Sequence, residues 1–347
     1  MSIHILILNH NGRGLLAECL PSVVRAAERS RYRCDVAVID NDSTDDSVLW
    51  LEEHFPEVRV IHRPNRGLCS FNGVVAELEG VAVLLNNDIR LASDAIDPLV
   101  EPLRSDPDCF MTAPLCWRFD GRTYEGFKTA VRWRWGLVQA TALFEGHESG
   151  IRQPGPTASA GAALAVHCRK FVQLGGFDPL YLPGRLEDLD FAFRGYMAGY
   201  HARYVPTSVA YHRGMATFGE AFGRDGCNRL ALRNTLLFQW KNLRRAGHLV
   251  RHLAALPLRL IRDIFRAPVA PRGQRWAFVR ALFGALWRVG RLRTAPYQPD
   301  VNLARERAFF REFDPKQITS PGSRAPHGNQ GEPHDRPART PELSRTR

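Results

Sequence analysis

Two acidic stretches, Asn86-Asn87-Asp88 and Glu187-Asp188-Leu189-Asp190, hold the side chains with the most chemistry to offer in this sequence. The first ends the apolar run at 81–85, and a carboxylate beside amide oxygens suits a hard divalent cation, Mg2+ or Mn2+. The second packs three carboxylates into four residues at the head of a helical pattern spanning 186–198. Acidic residues complement a helix N-terminus, but three exceed what capping needs, so one is a candidate general base. Two more polar clusters follow apolar runs: Asn9-His10-Asn11-Gly12 and Asp40-Asn41-Asp42-Ser43-Thr44. Small polar groups in the first let backbone approach a ligand closely, although an ordinary turn has the same composition. A carboxylate in the second could accept the N3–H of a uracil or thymine ring, with a helix cap as the competing reading.

The elements that must position these clusters alternate. Apolar runs at 3–8, 34–39, 58–62 and 81–85 read as strands, and 14–27, 47–54 and 68–79 have helical spacing. Short strands separated by single helices predict a Rossmann-like α/β fold, with a mostly parallel sheet and helices on both faces. Such sheets bind ligands beyond the carboxyl ends of their strands, where the polar clusters fall. A further strand is expected at 160–166. Residues 115–158, rich in Gly, Trp, Arg and Pro, show no period and are expected to be irregular. Trp133 and Trp135 in that stretch could stack on a sugar ring or be buried.

In order and spacing the clusters resemble the family 2 glycosyltransferases of the GT-A fold, particularly a bacterial, rhamnosyltransferase-like branch that builds cell-surface polysaccharides. The stretches carrying the resemblance are ILNHNGRGLLAECLPSV, VIDNDSTDDS, RPNRGLCSFN, LLNNDIRL, GGFDPLYLPGRLEDLDFAFRGYMAGY and VAYHRGMATFG, within residues 3–220. The resemblance implies an inverting sugar transfer from a nucleotide-sugar donor with a divalent metal. On that pattern Asp40 contacts the donor base, with Asp42 near the nucleoside and Asn9, Asn65, Gly67 and Asn87 lining the donor pocket. Asp88 matches the last position of the metal-binding Asp-x-Asp motif, and His212 sits where some relatives place a further metal ligand. Asp188 matches the general base, with Glu187 orienting it or the acceptor. One departure stands out: Asn86 occupies the first position of Asp-x-Asp.

The net charge of +11 is uneven. Residues 241–297 hold 13 Lys/Arg and one acidic residue, Asp263, so the rest of the chain is nearly neutral. Within 248–266, Arg251, Arg259, Arg262 and Arg266 share one helical face, with Leu249, Leu253, Leu256, Leu260 and Ile264 opposite. Residues 275–293 repeat the theme. Basic amphipathic helices with aromatic residues suit an anionic membrane interface, the alternative being that the apolar faces pack on the rest of the protein. No nucleic-acid motif accompanies the charge.

Together these readings predict a GT-A catalytic domain over 1–220, a basic helical segment over 221–298 and a tail over 299–347, largely disordered from about 320. Seven scattered cysteines without CxxC spacing argue against a zinc site or a disulfide framework. The apolar start lacks a preceding basic region, and no run approaches the ~18 residues of a membrane span. The expected location is therefore cytoplasmic, peripheral on the inner face of the membrane, beside a lipid-linked or glycan acceptor. Rival readings are a nucleotidyltransferase, for which no convincing phosphate-binding segment follows the first strand, and a non-catalytic donor-binding scaffold.

Overall fold

A computed structural model describes residues 2–214, 216–292 and 299–318. The first strands and helices are β1 (Ile3–Asn9), α1 (Arg13–Arg29), β2 (Cys34–Asn41), α2 (Ser47–His54), β3 (Arg59–Arg63), α3 (Ser70–Val75), β4 (Val81–Asn86), β5 (Ile89–Leu91) and α4 (Ile96–Ser105). Next come β6 (Cys109–Arg118), β7 (Tyr124–Gly126), β8 (Ala130–Arg134), β9 (Leu137–Thr141), α5 (His147–Gly150), β10 (Gly155–Pro156), β11 (Ala163–His167) and α6 (Cys168–Gln173). The chain continues through α7 (Glu187–Ala198), β12 (His201–His212), α8 (Ala216–Asn242), α9 (Ala246–Arg266), α10 (Ala277–Leu286), α11 (Pro299–Glu312) and α12 (Pro315–Ile318).

The central sheet runs β10-β12-β6-β11-β4-β1-β2-β3, with β5 on β12 and β7 on β6. Strands β4, β1, β2 and β3 are parallel neighbours. The near-continuous apolar runs of β4, β1 and the second half of β2 are those of strands covered on both faces, whereas β3, at the sheet edge, is exposed at Arg59 and His62. The other half of the sheet is mixed, entered through antiparallel β11 between β4 and β6. Strand register gathers the polar residues. Asn9 pairs with Asp40, Leu8 with Asn86 and Asp40 with His62, so the polar strand ends emerge at one edge. His212, at the end of β12, pairs with Ile89 of β5, one residue from Asp88.

Two stretches differ from expectation. Residues 115–158 are not irregular throughout: β8 and β9 form a two-stranded hairpin, and β7 extends the main sheet. Its tight aromatic and arginine-rich composition hid the two-residue alternation. The tail expected from residue 299 begins instead with helices that close the core. Phe309 is 1% exposed and Phe313 is fully buried, both against Tyr196 of α7. The disorder expected from about 320 lies outside the described residues.

The basic helices also divide their faces differently. On α9, Leu256 and Leu260 pack against the core, while Leu253 and Ile264 are exposed together with Val250, Ile261 and Phe265. Phe265 is 77% exposed and Trp287, just after α10, is 85% exposed. One face of α9 thus docks, one carries arginine, and a third is apolar and uncovered. Among the described residues no helix is long and apolar enough to cross a membrane.

Candidate active site

The strand ends, the β8–β9 hairpin, the head of α7 and parts of α8 and α9 enclose a cleft of about 1430 Å³. Asn9, Asn65, Gly67, Asn87, Asp88, Glu187, Asp188 and His212 all line it. Asp40 and Asp42 do not, although Asn41 between them does.

At the first corner the loops after β1, β2 and β4 are bonded to one another. Asn9 accepts from Asn87 Nδ2 at 2.8 Å and donates to Ser43 Oγ at 3.2 Å. Asn11, held at φ 47°, accepts from the Thr44 amide at 2.6 Å. An asparagine tolerates that left-handed backbone better than most residues. Gly12 is where the loop comes closest: a Cβ there would fall on Asn87 Nδ2 and 2.6 Å from Asn9 Oδ1. Asp42 accepts from the Asn65 amide at 2.9 Å, so this carboxylate positions the 65–67 turn. Asn65 in turn accepts from the Gly67 amide at 3.2 Å. Asp40 is buried, with His62 Nδ1 3.5 Å from Oδ2 and its Oδ1 unpartnered.

Asp88 and His212 meet at the second corner, 3.3 Å apart, and Glu125 lies 3.5 Å from the other imidazole nitrogen. Burial opposes charge on His212, but the two carboxylates outweigh it and raise the imidazole to about 9. Asp88 Oδ1 is buried and unpartnered. No group of three or more His, Cys, Asp or Glu forms a ready-made metal site among the described residues. A cation at Asp88 would therefore need oxygens from a ligand to complete its shell, as Mg2+ and Mn2+ accept from phosphates. The buried, unsatisfied carboxylate oxygen fits such an ion, and His212 could join it only by giving up the proton that Asp88 and Glu125 hold on the ring.

The third corner is the head of α7. Asp188 Oδ2 accepts from the Ser159 hydroxyl and from the Gly161 amide at 2.9 Å. Both bonds fall on one oxygen, leaving Oδ1 to take a proton. Glu187 is different: burial first, and then the charge of Asp188, raise its carboxyl to about 8, and its Oε2 is unpartnered. Asp190, the third carboxylate, is turned into the core. It accepts from Lys241 Nζ at 2.8 Å, Arg194 Nε at 2.8 Å, Tyr181 Oη at 2.8 Å and Asn242 Nδ2 at 2.7 Å. That carboxylate is structural.

Four of the six buried polar side-chain atoms without a partner among the described residues belong to Asp40, Asn41, Asp88 and Glu187. All four are oxygens able to accept, and buried acceptors are rarely left unmade unless a ligand completes them. Sequence reasoning missed Ser159, Gly161 and Glu125, which hold Asp188 and His212. The short Ser-Ala-Gly run ahead of β11 was the available sign for the first two; Glu125 lies in the stretch without a period. Of the two tryptophans, Trp133 packs on His248 and Phe310, whereas Trp135 lines the cleft at 57% exposure.

Comparison with known proteins bears on the family and the fold. Residues 4–151 match the model of glycosyl transferase family 2. Polypeptide N-acetylgalactosaminyltransferase 10 of Drosophila melanogaster is 23% identical over 231 residues, covering 61% of this chain and 36% of that protein. The crystal structure of S. aureus TarS in complex with UDP-GlcNAc matches with a TM-score of 0.53 at 13% identity, covering 92% of this chain and 90% of that one. GalNAc-T7 with UDP, GalNAc and Mn2+ matches with a TM-score of 0.52 at 21% identity, covering 70% of this chain and 48% of that one. The chain thus spans little more than a third of the curated relative and about half of GalNAc-T7. At these identities the structural likeness speaks for the fold alone.

Proposed function

The chain is a family 2 glycosyltransferase with the GT-A fold, and from that premise we propose that it moves a sugar from a nucleoside-diphosphate donor to a lipid-linked or cell-surface glycan hydroxyl, with inversion. The observation that carries this reading is the set of unpartnered side-chain oxygens on Asn41, Asp88 and Glu187, which line one cleft, with that of buried Asp40 next to Asn41 in the chain. The reaction offers partners for those of Asp40, Asp88 and Glu187. Asp40 Oδ1 suits the N3–H of a uracil or thymine base, and the strand-end loops at Asn9, Asn65 and Gly67 cradle the nucleoside. Asp88 and His212 would hold a divalent metal, Mg2+ or Mn2+, together with the donor diphosphate. That metal supplies Lewis-acid stabilisation of the leaving group. Asp188 Oδ1 takes the proton of the acceptor hydroxyl as its oxygen attacks the anomeric carbon from the face opposite the diphosphate. Ser159 and Gly161 fix the Asp188 carboxylate for that task. Glu187, protonated at neutral pH, donates a hydrogen bond to the acceptor or to a sugar oxygen. Trp135 offers a ring face for stacking.

Residues 1–220 carry the chemistry on this reading, and the basic helical segment at 221–298 serves the membrane. Its arginines and its exposed Leu253, Ile261, Phe265 and Trp287 suit the anionic, cytoplasmic face of a bilayer, where a lipid-linked acceptor lies. The test is hydrolysis of TDP-, UDP- and GDP-linked sugars with Mg2+ or Mn2+ and with chelator. Metal-dependent release of one nucleoside diphosphate, lost in Asp88→Ala, is the expected result. No release from any donor, with no donor-induced rise in Tm, would favour a donor-binding scaffold.

A further inference from the structure

Arg134, at the end of β8, and Arg259 and Arg262 of α9 come together on the wall of the cleft away from the parallel strand ends. Arg259 donates from Nε to the Trp135 carbonyl at 2.6 Å and from Nη2 to the Arg134 carbonyl at 2.7 Å. These bonds tie the hairpin to α9. Burial, and then the charges of Arg262 and Arg134, lower the Arg259 guanidinium to about 10; Asp225 and Asp263 line the adjoining cavity that Arg259 and Arg262 share. The nearest acidic residue on the helix, Asp263, is engaged by the amides of Phe278 and Val279, each at 3.1 Å. Arg262 lies over the Trp135 ring, 5.8 Å from its centroid. Like charges gathered this closely destabilise the free protein, and planar guanidinium groups are the preferred donors to phosphate.

On the transferase reading the donor diphosphate sits beside Asp88, which follows β4, whereas the arginines are carried by the hairpin and α9. What lies beside the arginines is apolar: Leu258, Ile261 and Phe265 of the same helix are exposed on the adjoining face. An anion with an apolar chain attached matches both surfaces at once. We propose that Arg134, Arg259 and Arg262 bind the phosphate or diphosphate of a lipid-linked acceptor whose chain leaves along the exposed apolar face of α9. This rests on the transferase reading above and specifies the acceptor class that reading leaves open. The arginines hold the acceptor's head so that its sugar hydroxyl reaches Asp188, while the apolar face keeps the lipid in or against the bilayer.

The probe is farnesyl diphosphate, titrated calorimetrically into the full chain, with farnesol, inorganic pyrophosphate and UDP, TDP and GDP as parallel arms. Wild type is expected to bind farnesyl diphosphate at least tenfold more tightly than farnesol or pyrophosphate. Arg262→Gln should weaken it about tenfold, Arg262→Lys less, and neither should weaken a nucleoside diphosphate to the same degree. Arg259 is left intact in this test because it holds the hairpin; Arg134→Gln provides the independent second variant. Binding of farnesyl diphosphate within twofold of wild type in both glutamine variants overturns the proposal. So does an equal loss of nucleoside diphosphate binding, which assigns the arginines to the donor, and so does pyrophosphate binding as tightly as farnesyl diphosphate. Sedimentation with phosphatidylcholine vesicles, with and without phosphatidylglycerol, separates the last source. A variant that loses only the phosphatidylglycerol-dependent part and keeps farnesyl diphosphate assigns the cluster to bilayer headgroups and overturns the proposal. None of these readouts needs turnover, so they stand apart from the donor hydrolysis test.

Discussion

Asn9 and Asn87 are 78 residues apart in sequence, yet their side chains share a 2.8 Å hydrogen bond at the ends of β1 and β4. The bond exists because parallel register sets Leu8 against Asn86, so Asn9, the last residue of β1, comes level with Asn87, the first residue after β4. It fixes the loop before Asp88 to the loop that reaches the nucleoside corner. Gly12 guards this bond, since any Cβ there would collide with both partners.

Gly12→Ala is therefore expected to separate Asn9 from Asn87 without unfolding the sheet. The donor KM should rise about tenfold or more, whereas Gly14→Ala, which would meet nothing within 4 Å, should leave it near wild type. Steady-state kinetics of the two variants, with Tm measured in parallel, checks the contrast.

Asp88 and His212 make an unequal pair. Asp88 supplies the only carboxylate of the Asn86-Asn87-Asp88 segment, so Asp88→Ala should lower metal-dependent donor cleavage by roughly 100-fold or more. His212→Gln should cost less, because Asp88 and the donor phosphates remain to hold the ion. Manganese titration of donor hydrolysis reads both: the activating concentration should rise further for Asp88→Ala than for His212→Gln.

Removing the base should leave the protein standing. Asp188→Asn keeps the bonds from Ser159 and Gly161 within reach but takes no proton, so kcat should fall by a factor on the order of 10²–10⁴ with KM for the donor little changed. A Ser159→Ala variant tests positioning through the same carboxylate; a loss of kcat smaller than that of Asp188→Asn is expected.

The sheet and its strand ends were legible because a parallel strand covered on both faces leaves an unbroken apolar run, and the polar residue that ends it marks the sheet edge. Asn9 and Asp88 drew attention that way; Asp188 did so through three carboxylates in four residues at the head of a helix and through the family pattern. The role of Asp42 was not legible, because a carboxylate that caps the Asn65 turn and one that binds a nucleoside have the same local sequence. Spacing alone does not separate Asp188 from Asp190; the family pattern singled out Asp188, and the approach of Lys241, 51 residues on, shows why Asp190 is consumed in the core. The three faces of α9 escaped for a related reason. Helical spacing divides arginine from leucine, but which leucines dock depends on the hairpin and core beside them.

Glu187 gives the fold a pH dependence whose sign comes from burial. Its carboxyl is raised to about 8 from an ordinary value of 4.5, so the folded protein holds a proton that the unfolded chain has released across that window. Stability contributed by this residue is then lost as pH rises from 4.5 through 8. Glu187→Gln removes the titration. Its Tm should exceed that of wild type at pH 8.5 and approach it near pH 5, and thermal scans across the range would show the two curves converging on the acid side.

Asp190 titrates in the opposite direction and carries more of the fold. Burial opposes its charge, but Arg194 and Lys241 outweigh that and hold its carboxyl at about 2, below the ordinary 3.8. Its contribution is present above pH 3.8 and lost as the pH falls toward 2. The network joins the start of α7, immediately after Glu187 and Asp188, to the end of α8, and Lys241 also reaches Asp178 at 2.7 Å. Lys241→Met strands buried carboxylates and should cost about 3–5 kcal/mol, the usual penalty for removing one partner of a buried pair. Lys241→Met with Asp190→Leu should recover only part of that loss, because the most deeply buried carboxylate is gone while Asp178 and Arg194 have each lost a charged partner. Denaturant unfolding of the two single variants and the double would give the coupling. Sum-of-singles behaviour would mean that Lys241 and Asp190 do not support the head of α7 as one unit.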